Sequence, residues 1–298
     1  MKLLAALLLL VQVTLAQPGC QTQTQSNPIA DWYPMNITGV FNGTFSIAFV
    51  NRQAAESILP QGVSFLDDVY RREVAGWRED MFPVLIRAGY VHDIRARDRM
   101  VRNHRGIISF ELPFVDALGD GKTPFRYAYT QLIQAMRPSY GLDIAEQYGV
   151  PHIIPSNFDP ECDAYGFIQG PDGRPHPAKL RGMPARTPRL TVEVTSPQQL
   201  TKEARPVGDD ELKRIVNQPR FGIGKEGMVC GRRTTMFGEE VGFDELVRTK
   251  GEVSLNAPFE SLDFLFEEGS TRRKLIYGIR VGTAFVDRDF VDCQSLAN

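Results

Sequence analysis

Polar and apolar residues alternate along much of this chain, and the alternation has the period of β-structure. Thr44–Val50 alternates through Phe45, Ile47 and Phe49 and reads as a strand. Further strands are expected at Pro83–Val91, Gly106–Leu112, Phe125–Ile133, Arg189–Thr195, Met228–Met236, Glu252–Leu255 and Lys274–Phe285. In the last, Leu275, Tyr277, Ile279 and Val281 share one face, as a half-buried strand requires. Helical signals are fewer and shorter. Arg52–Leu59 has Asn51 as an N-cap and Pro60 as a stop, and Leu142–Tyr148 ends before Gly149 and Pro151. Asp209–Val216 opens on a capping Asp, and Phe259–Phe266 reads as a turn-rich helix. Many strands, few helices and no βαβ rhythm predict a mainly β, α+β fold with an antiparallel sheet or barrel and peripheral helices.

Two stretches break the pattern. Residues 17–30 are rich in Gln, Thr and Pro and read as a flexible arm. Residues 155–188 are rich in Pro and Gly, with Pro171-Asp172-Gly173-Arg174 as a turn, and read as a long loop or insertion. Residues 31–298 then form a single domain.

The first sixteen residues change the setting. Lys2, an apolar run from Leu3 to Val13 and Thr14-Leu15-Ala16 predict a cleaved secretory signal. The run is shorter than the ~18 residues of a spanning helix, so the mature chain is expected to be secreted and free of the membrane. Two sequons, at Asn36 and Asn42, agree with that compartment and predict glycans at an exposed edge or loop. Four cysteines, Cys20, Cys162, Cys230 and Cys293, predict two disulfides. Because domain termini often lie close together, Cys20 is expected to pair with Cys293 and Cys162 with Cys230.

Composition excludes little. Hydrophobic residues make up 42% and charged residues 23%, which is ordinary for a globular core. A net charge of −2 gives no footprint for nucleic acid. Arg95, Arg97, Arg99, Arg102 and Arg105 form a local basic cluster, either a solvated loop or an anion-binding rim. There is no His-Glu-x-x-His, no nucleophile elbow and no metal spacing among His92, His104, His152 and His176, so neither a metal nor a cofactor is expected. Phe221-Gly222-Ile223-Gly224-Lys225 lacks the following Ser or Thr of a phosphate loop and reads as a turn.

Polar residues inside apolar strands carry the chemistry, because an unpaired buried polar group is costly. Arg87 interrupts Val84-Leu85-Ile86, and Ser109 and Glu111 share the face opposite Ile108, Phe110 and Leu112. Tyr127 and Tyr129 share a face of their strand. If these faces line a cavity, Arg87 holds a carboxylate while Glu111, His104 or Tyr129 moves a proton. The alternative is that they face solvent.

The stretch Phe41–Phe65, reading FNGTFSIAFVNRQAAESILPQGVSF, resembles the opening of the acetoacetate decarboxylase superfamily: strand, short helix, Leu-Pro step. Pro83–Ile94, Gly106–Ile133, Leu255-Asn256-Ala257-Pro258-Phe259 and Lys274–Phe290 resemble later segments of that family in order. The resemblance implies a cone-shaped, mostly antiparallel β-barrel around a small-molecule cavity, often in homo-oligomers. It also implies an enzyme acting on a small keto acid or polyketide-like compound, with lyase-type chemistry. The family's imine-forming lysine has no counterpart, since Tyr140–Ile153, the matching stretch, contains no lysine. Lys122, in a Gly-rich turn, is the nearest substitute. The alternative is a non-catalytic extracellular binder on the same fold.

Overall fold

The computed structural model describes residues 26–74, 78–96, 99–134, 140–169, 175–187, 189–199, 206–238, 246–267 and 269–297. At 99–104, 140, 166–169, 175–178 and 196–199 only the backbone is described. The expected signal segment, Cys20 and the turn at Pro171–Arg174 lie outside these residues.

Among the described residues thirteen strands form one sheet: β1 (Ile37–Asn51), β2 (Ser64–Phe65), β3 (Met81–Ala96), β4 (Arg99–Asp116), β5 (Phe125–Gln134), β6 (His152–Asp159), β7 (Gly166–Gln169), β8 (Pro175–Pro184), β9 (Val192–Gln199), β10 (Arg220–Gly224), β11 (Gly227–Thr235), β12 (Val247–Leu255) and β13 (Arg273–Val291). Their order is β11-β10-β5-β6-β8-β9-β12-β13-β1-β3-β4-β2, with β7 beside β8. Two further pairings, β4 with β5 and β11 with β13, join strands that are distant along this path. Most pairs are antiparallel, but β5 runs parallel to both β6 and β10. Helices are short: α1 (Arg52–Glu56), α2 (Asp67–Glu73), α3 (Tyr140–Gln147) and α4 (Asp209–Val216). None of those described is long and apolar enough to cross a membrane.

Every strand expected from alternation is present, and most run longer than the pattern indicated. Asn51 caps α1 as expected, its side chain accepting the N–H groups of Gln53 and Ala54. At α4 the cap is Gly208, whose N–H the Glu211 carboxylate accepts, while Asp209 is the first helical residue and pairs with Arg248. The expected loop at 155–188 is instead largely sheet. β6, β7 and β8 lie there, with Pro160 directly after β6 and Pro175 and Pro184 at the two ends of β8. Phe221–Gly224 is also strand, and the expected turn is confined to Lys225 and Glu226. Gly222 and Gly224 are needed because a Cβ there would lie 1.8 Å from the Tyr148 carbonyl oxygen and 2.6 Å from that of Gln147.

Residues 26–30, expected to be part of a flexible arm, are docked. Ile29 is buried against Ala284 and Val286, and the Asp93 carboxylate accepts the Asn27 N–H at 2.7 Å. The disulfide pairing differs from expectation as well. Cys230 joins Cys293, with Cα atoms 5.1 Å apart. The β11–β13 pairing sets Cys230 opposite Val291, two residues before Cys293, so register brings this pair together. Cys162 is disulfide-bonded too, so it is not the partner of Cys230.

Candidate anion site on the charged face of the sheet

Strands β1, β3, β4, β5 and β13 form a wall whose two faces differ. On β3 and β4, Ile86, Ala88, Ile108 and Phe110 point one way into apolar packing. Arg87, Ser109 and Glu111 point the other way, toward β10 and β11. The pairings of β5 with β10, β10 with β11 and β11 with β13 bring further charges to that second face. Arg126 sits beside Arg220, and Arg233 lies opposite Asp287.

The result is a buried network. The Glu111 carboxylate accepts the Arg126 Nη1–H at 2.8 Å and the Ser109 hydroxyl at 2.8 Å. Arg126 also donates through Nε to the Gln218 carbonyl oxygen at 3.1 Å. Asp287 accepts two bonds from Arg233, from Nε at 2.9 Å and from Nη2 at 2.5 Å. Arg220 Nη2 reaches Asp289 at 2.5 Å and Asp287 at 3.2 Å. Tyr148, at the end of α3, donates to Asp289 at 2.8 Å and lays its ring over Arg220.

Arg87 is the exception. Its nearest carboxylate oxygen, on Glu111, is 3.8 Å away, and its Nε–H is buried without a partner. Burial drives its ionisation well below the usual arginine range, and Arg233, Arg220 and Arg126 add to this against Glu111. Arginine stays protonated, so Arg87 is a cation short of counter-charge. The carboxylates behave oppositely. Burial pushes Glu111 up, but Arg126 and Arg87 outweigh it and hold it below the usual range. Asp287 is held down in the same way, by Arg233 and Arg220 against burial.

A cavity of about 50 Å³ opens beside this network. Arg87, Arg105, Arg220, Arg233, Asp287, Asp289 and Gln131 give it polar walls, and Ile107, Ile133, Ile144 and Val150 give it apolar ones. Residues of α3 cover one side. No lysine lines it among the described residues, and none of those residues forms a cluster that could hold a metal.

Of the residues singled out from sequence, Arg87 and Glu111 meet here. Tyr129 does not. The β4–β5 register sets Phe110 opposite Thr130 and Glu111 opposite Ala128, so Tyr129 is the extra residue of a bulge. It packs instead on His152 and Phe264. Lys122 is exposed in the turn after β4, where Asp120 organises the backbone. His104 pairs with His92 in the β3–β4 ladder, and its side chain lies outside the described set. Of the basic cluster, Arg105 lines the cavity and Arg95 pairs with Asp93, while Arg97 and the side chains of Arg99 and Arg102 are not described. His92 is buried against Asn42, so the second sequon is not at an exposed edge. Asn36 is half-buried at the end of a turn.

No protein-family model matches the chain, and no curated protein matches it. Among solved structures it is similar to the enduracididine biosynthesis enzyme MppR complexed with pyruvate, at 11% identity and a TM-score of 0.47. That similarity covers 86% of this chain and 91% of that one. It is also similar to an acetoacetate decarboxylase-like enzyme from Sphingomonas wittichii RW1, at 10% identity and a TM-score of 0.46, over 86% and 94% of the two chains. A structure of acetoacetate decarboxylase is similar at 10% identity and a TM-score of 0.44, over 91% and 98%.

Proposed function

We propose that the chain binds a small organic acid, placing its carboxylate at Arg87 and its short body against the apolar cavity wall. The observation that carries this reading is the buried Arg87 guanidinium, which lines the cavity with its Nε–H unpartnered and too little counter-charge around it. A carboxylate there supplies both the missing acceptor and the missing negative charge. The cone-shaped barrel implied by resemblance is supported by the ladder, since the path from β5 through β6, β8, β9, β12, β13, β1, β3 and β4 returns to β5. The signal expected from the first sixteen residues and the paired cysteines support an extracellular setting.

Lyase-type chemistry on a keto acid is the second reading, and Tyr148 favours it. Among the described cavity residues it carries the one hydroxyl, whose proton is donated to Asp289 at 2.8 Å and could be relayed between that carboxylate and a substrate oxygen. Imine chemistry is not proposed, because it needs a deprotonated amine in the site.

Calorimetry with pyruvate and acetoacetate tests the binding reading. Arg87→Ala should weaken binding by about tenfold or more, in line with loss of a charge-assisted hydrogen bond. Equal affinity for wild type and variant rejects the site. A proton NMR time course then separates enzyme from binder. Borohydride reduction in the presence of acetoacetate should leave no adduct, whereas an adduct on Lys122 would restore the imine route.

A further inference from the structure

We infer that the same cavity holds a monovalent inorganic anion, of the chloride type, as a structural counter-ion that an organic acid must displace. The inference rests on the anion-binding reading above and adds a resident ion and a competition to it. Arg105 has an interaction of its own. The other four guanidiniums of the network, on Arg87, Arg126, Arg220 and Arg233, face three carboxylates, on Glu111, Asp287 and Asp289. Among these seven side chains four cations face three anions, which leaves one positive charge in surplus in a buried site, and Arg105 at the same cavity adds no negative charge. Such a charge is strongly destabilising if nothing neutralises it.

Geometry restricts what can neutralise it. Arg87 Nε–H and Arg220 Nε–H are both buried and unpartnered, on two arginines that line the cavity. They are strong donors with no acceptor on the protein, as a spherical anion requires. The space of about 50 Å³ corresponds to roughly four water-sized positions, enough for one small ion with its residual waters. A dianion such as phosphate would overshoot the surplus by a full charge. It would leave a buried excess of the opposite sign, equally costly.

The test uses the full chain, freed of chloride in sodium methanesulfonate and returned to chloride at constant ionic strength. The wild-type midpoint of thermal unfolding should rise with the logarithm of chloride concentration above its Kd, with the slope of one bound ion. Arg87→Gln removes the surplus cation and should abolish the dependence. Should that variant not fold, Arg87→Lys keeps the charge without the Nε–H and should weaken chloride about tenfold. Pyruvate, titrated calorimetrically, should lose apparent affinity in proportion to chloride above the chloride Kd. A wild-type midpoint indifferent to chloride overturns the inference, as does an Arg87→Gln variant that keeps the response. Chloride and pyruvate binding together without competition overturns it as well. Pyruvate binding with no chloride effect leaves the organic-acid reading standing alone. A chloride effect with no pyruvate binding rejects that reading and keeps this one.

Discussion

The two faces of the β3–β4–β5 wall are made by the same strands on alternate residues, yet they are stabilised by opposite physics. One face carries Ile86, Ala88, Ile108, Phe110 and Leu132, all buried, and gains from removing apolar area from water. The other carries Arg87, Ser109, Glu111 and Arg126, equally buried, and every charge there bears a desolvation cost that only its partners offset. Depth of burial is therefore no guide to what a residue contributes. On the apolar face each side chain adds stability by itself. On the charged face stability belongs to pairs, and Arg87 is the member whose nearest carboxylate, on Glu111, stands off at 3.8 Å.

The largest effect should come from cutting the apolar face. Phe110→Ala removes a fully buried ring and should cost about 3–5 kcal/mol in urea unfolding. Pyruvate affinity of the folded fraction should be little changed, because the ring points away from the cavity. A cost under 1 kcal/mol would mean that this face is not the packed core described.

Slightly smaller, and different in kind, is the effect of Glu111→Leu. It strips counter-charge from Arg126 and Arg87 and should cost about 3 kcal/mol or more, since breaking a buried pair strands its partner. Adding Arg126→Met should recover much of that loss, although it removes a second hydrogen-bonding side chain. Phe110→Ala has no such rescue by charge removal. If the double variant is less stable than Glu111→Leu, the two faces follow the same rules and the contrast fails.

Most of the apolar face was legible in the sequence, because alternation reports a face directly. Arg87 and Glu111 were legible for the same reason: each interrupts an apolar run. Arg220, Arg233, Asp287 and Asp289 carry a weaker form of that signal, as charges within β-rich runs. They become a site only through the β5–β10 and β11–β13 pairings, which no local pattern encodes. β10 was hidden by Gly222 and Gly224, which fit the strand against the Tyr148 segment but read as a turn. The bulge at Tyr129 was equally invisible, since one inserted residue moves a side chain off its face without altering composition. The disulfide failed on register: proximity of termini is a general tendency, whereas the ladder placing Cys230 beside the end of β13 is particular.

Acid should act on the charged face selectively. The folded-state values of Glu111 and Asp287 lie below those of free carboxylates, Asp287 at about 2. A group depressed on folding contributes stability that is present above its unfolded pKa and is lost as pH falls through the folded one. The window is therefore about pH 4 down to about pH 2. The unfolding midpoint should fall steeply across it, and Glu111→Gln should flatten part of the decline. A slope as steep in the variant as in wild type would show that other carboxylates carry the acid response.

The smallest effect concerns the polar exception on the apolar side. Asn42 and Thr44 share the face of β1 that looks toward Ala88 and Tyr165, and both are buried. Asn42 Nδ2, the atom a glycan would occupy, lies 2.8 Å from His92 Nε2. The Thr44 hydroxyl accepts from Tyr165 at 2.7 Å. A sugar there would have to open the sheet, whereas Asn36 stands at the start of β1 beside exposed Met35. Expressed through a secretory pathway, the folded chain should carry one glycan, on Asn36. Asn36→Gln should lower the intact mass by that glycan and leave the unfolding midpoint nearly unchanged. Asn42→Gln should leave the mass envelope in place and lower stability by about 1 kcal/mol through the disturbed contact with His92. A glycan found on Asn42 of the folded protein would mean that this side of the wall is open to solvent, and the division between a dry face and a charged one would fall.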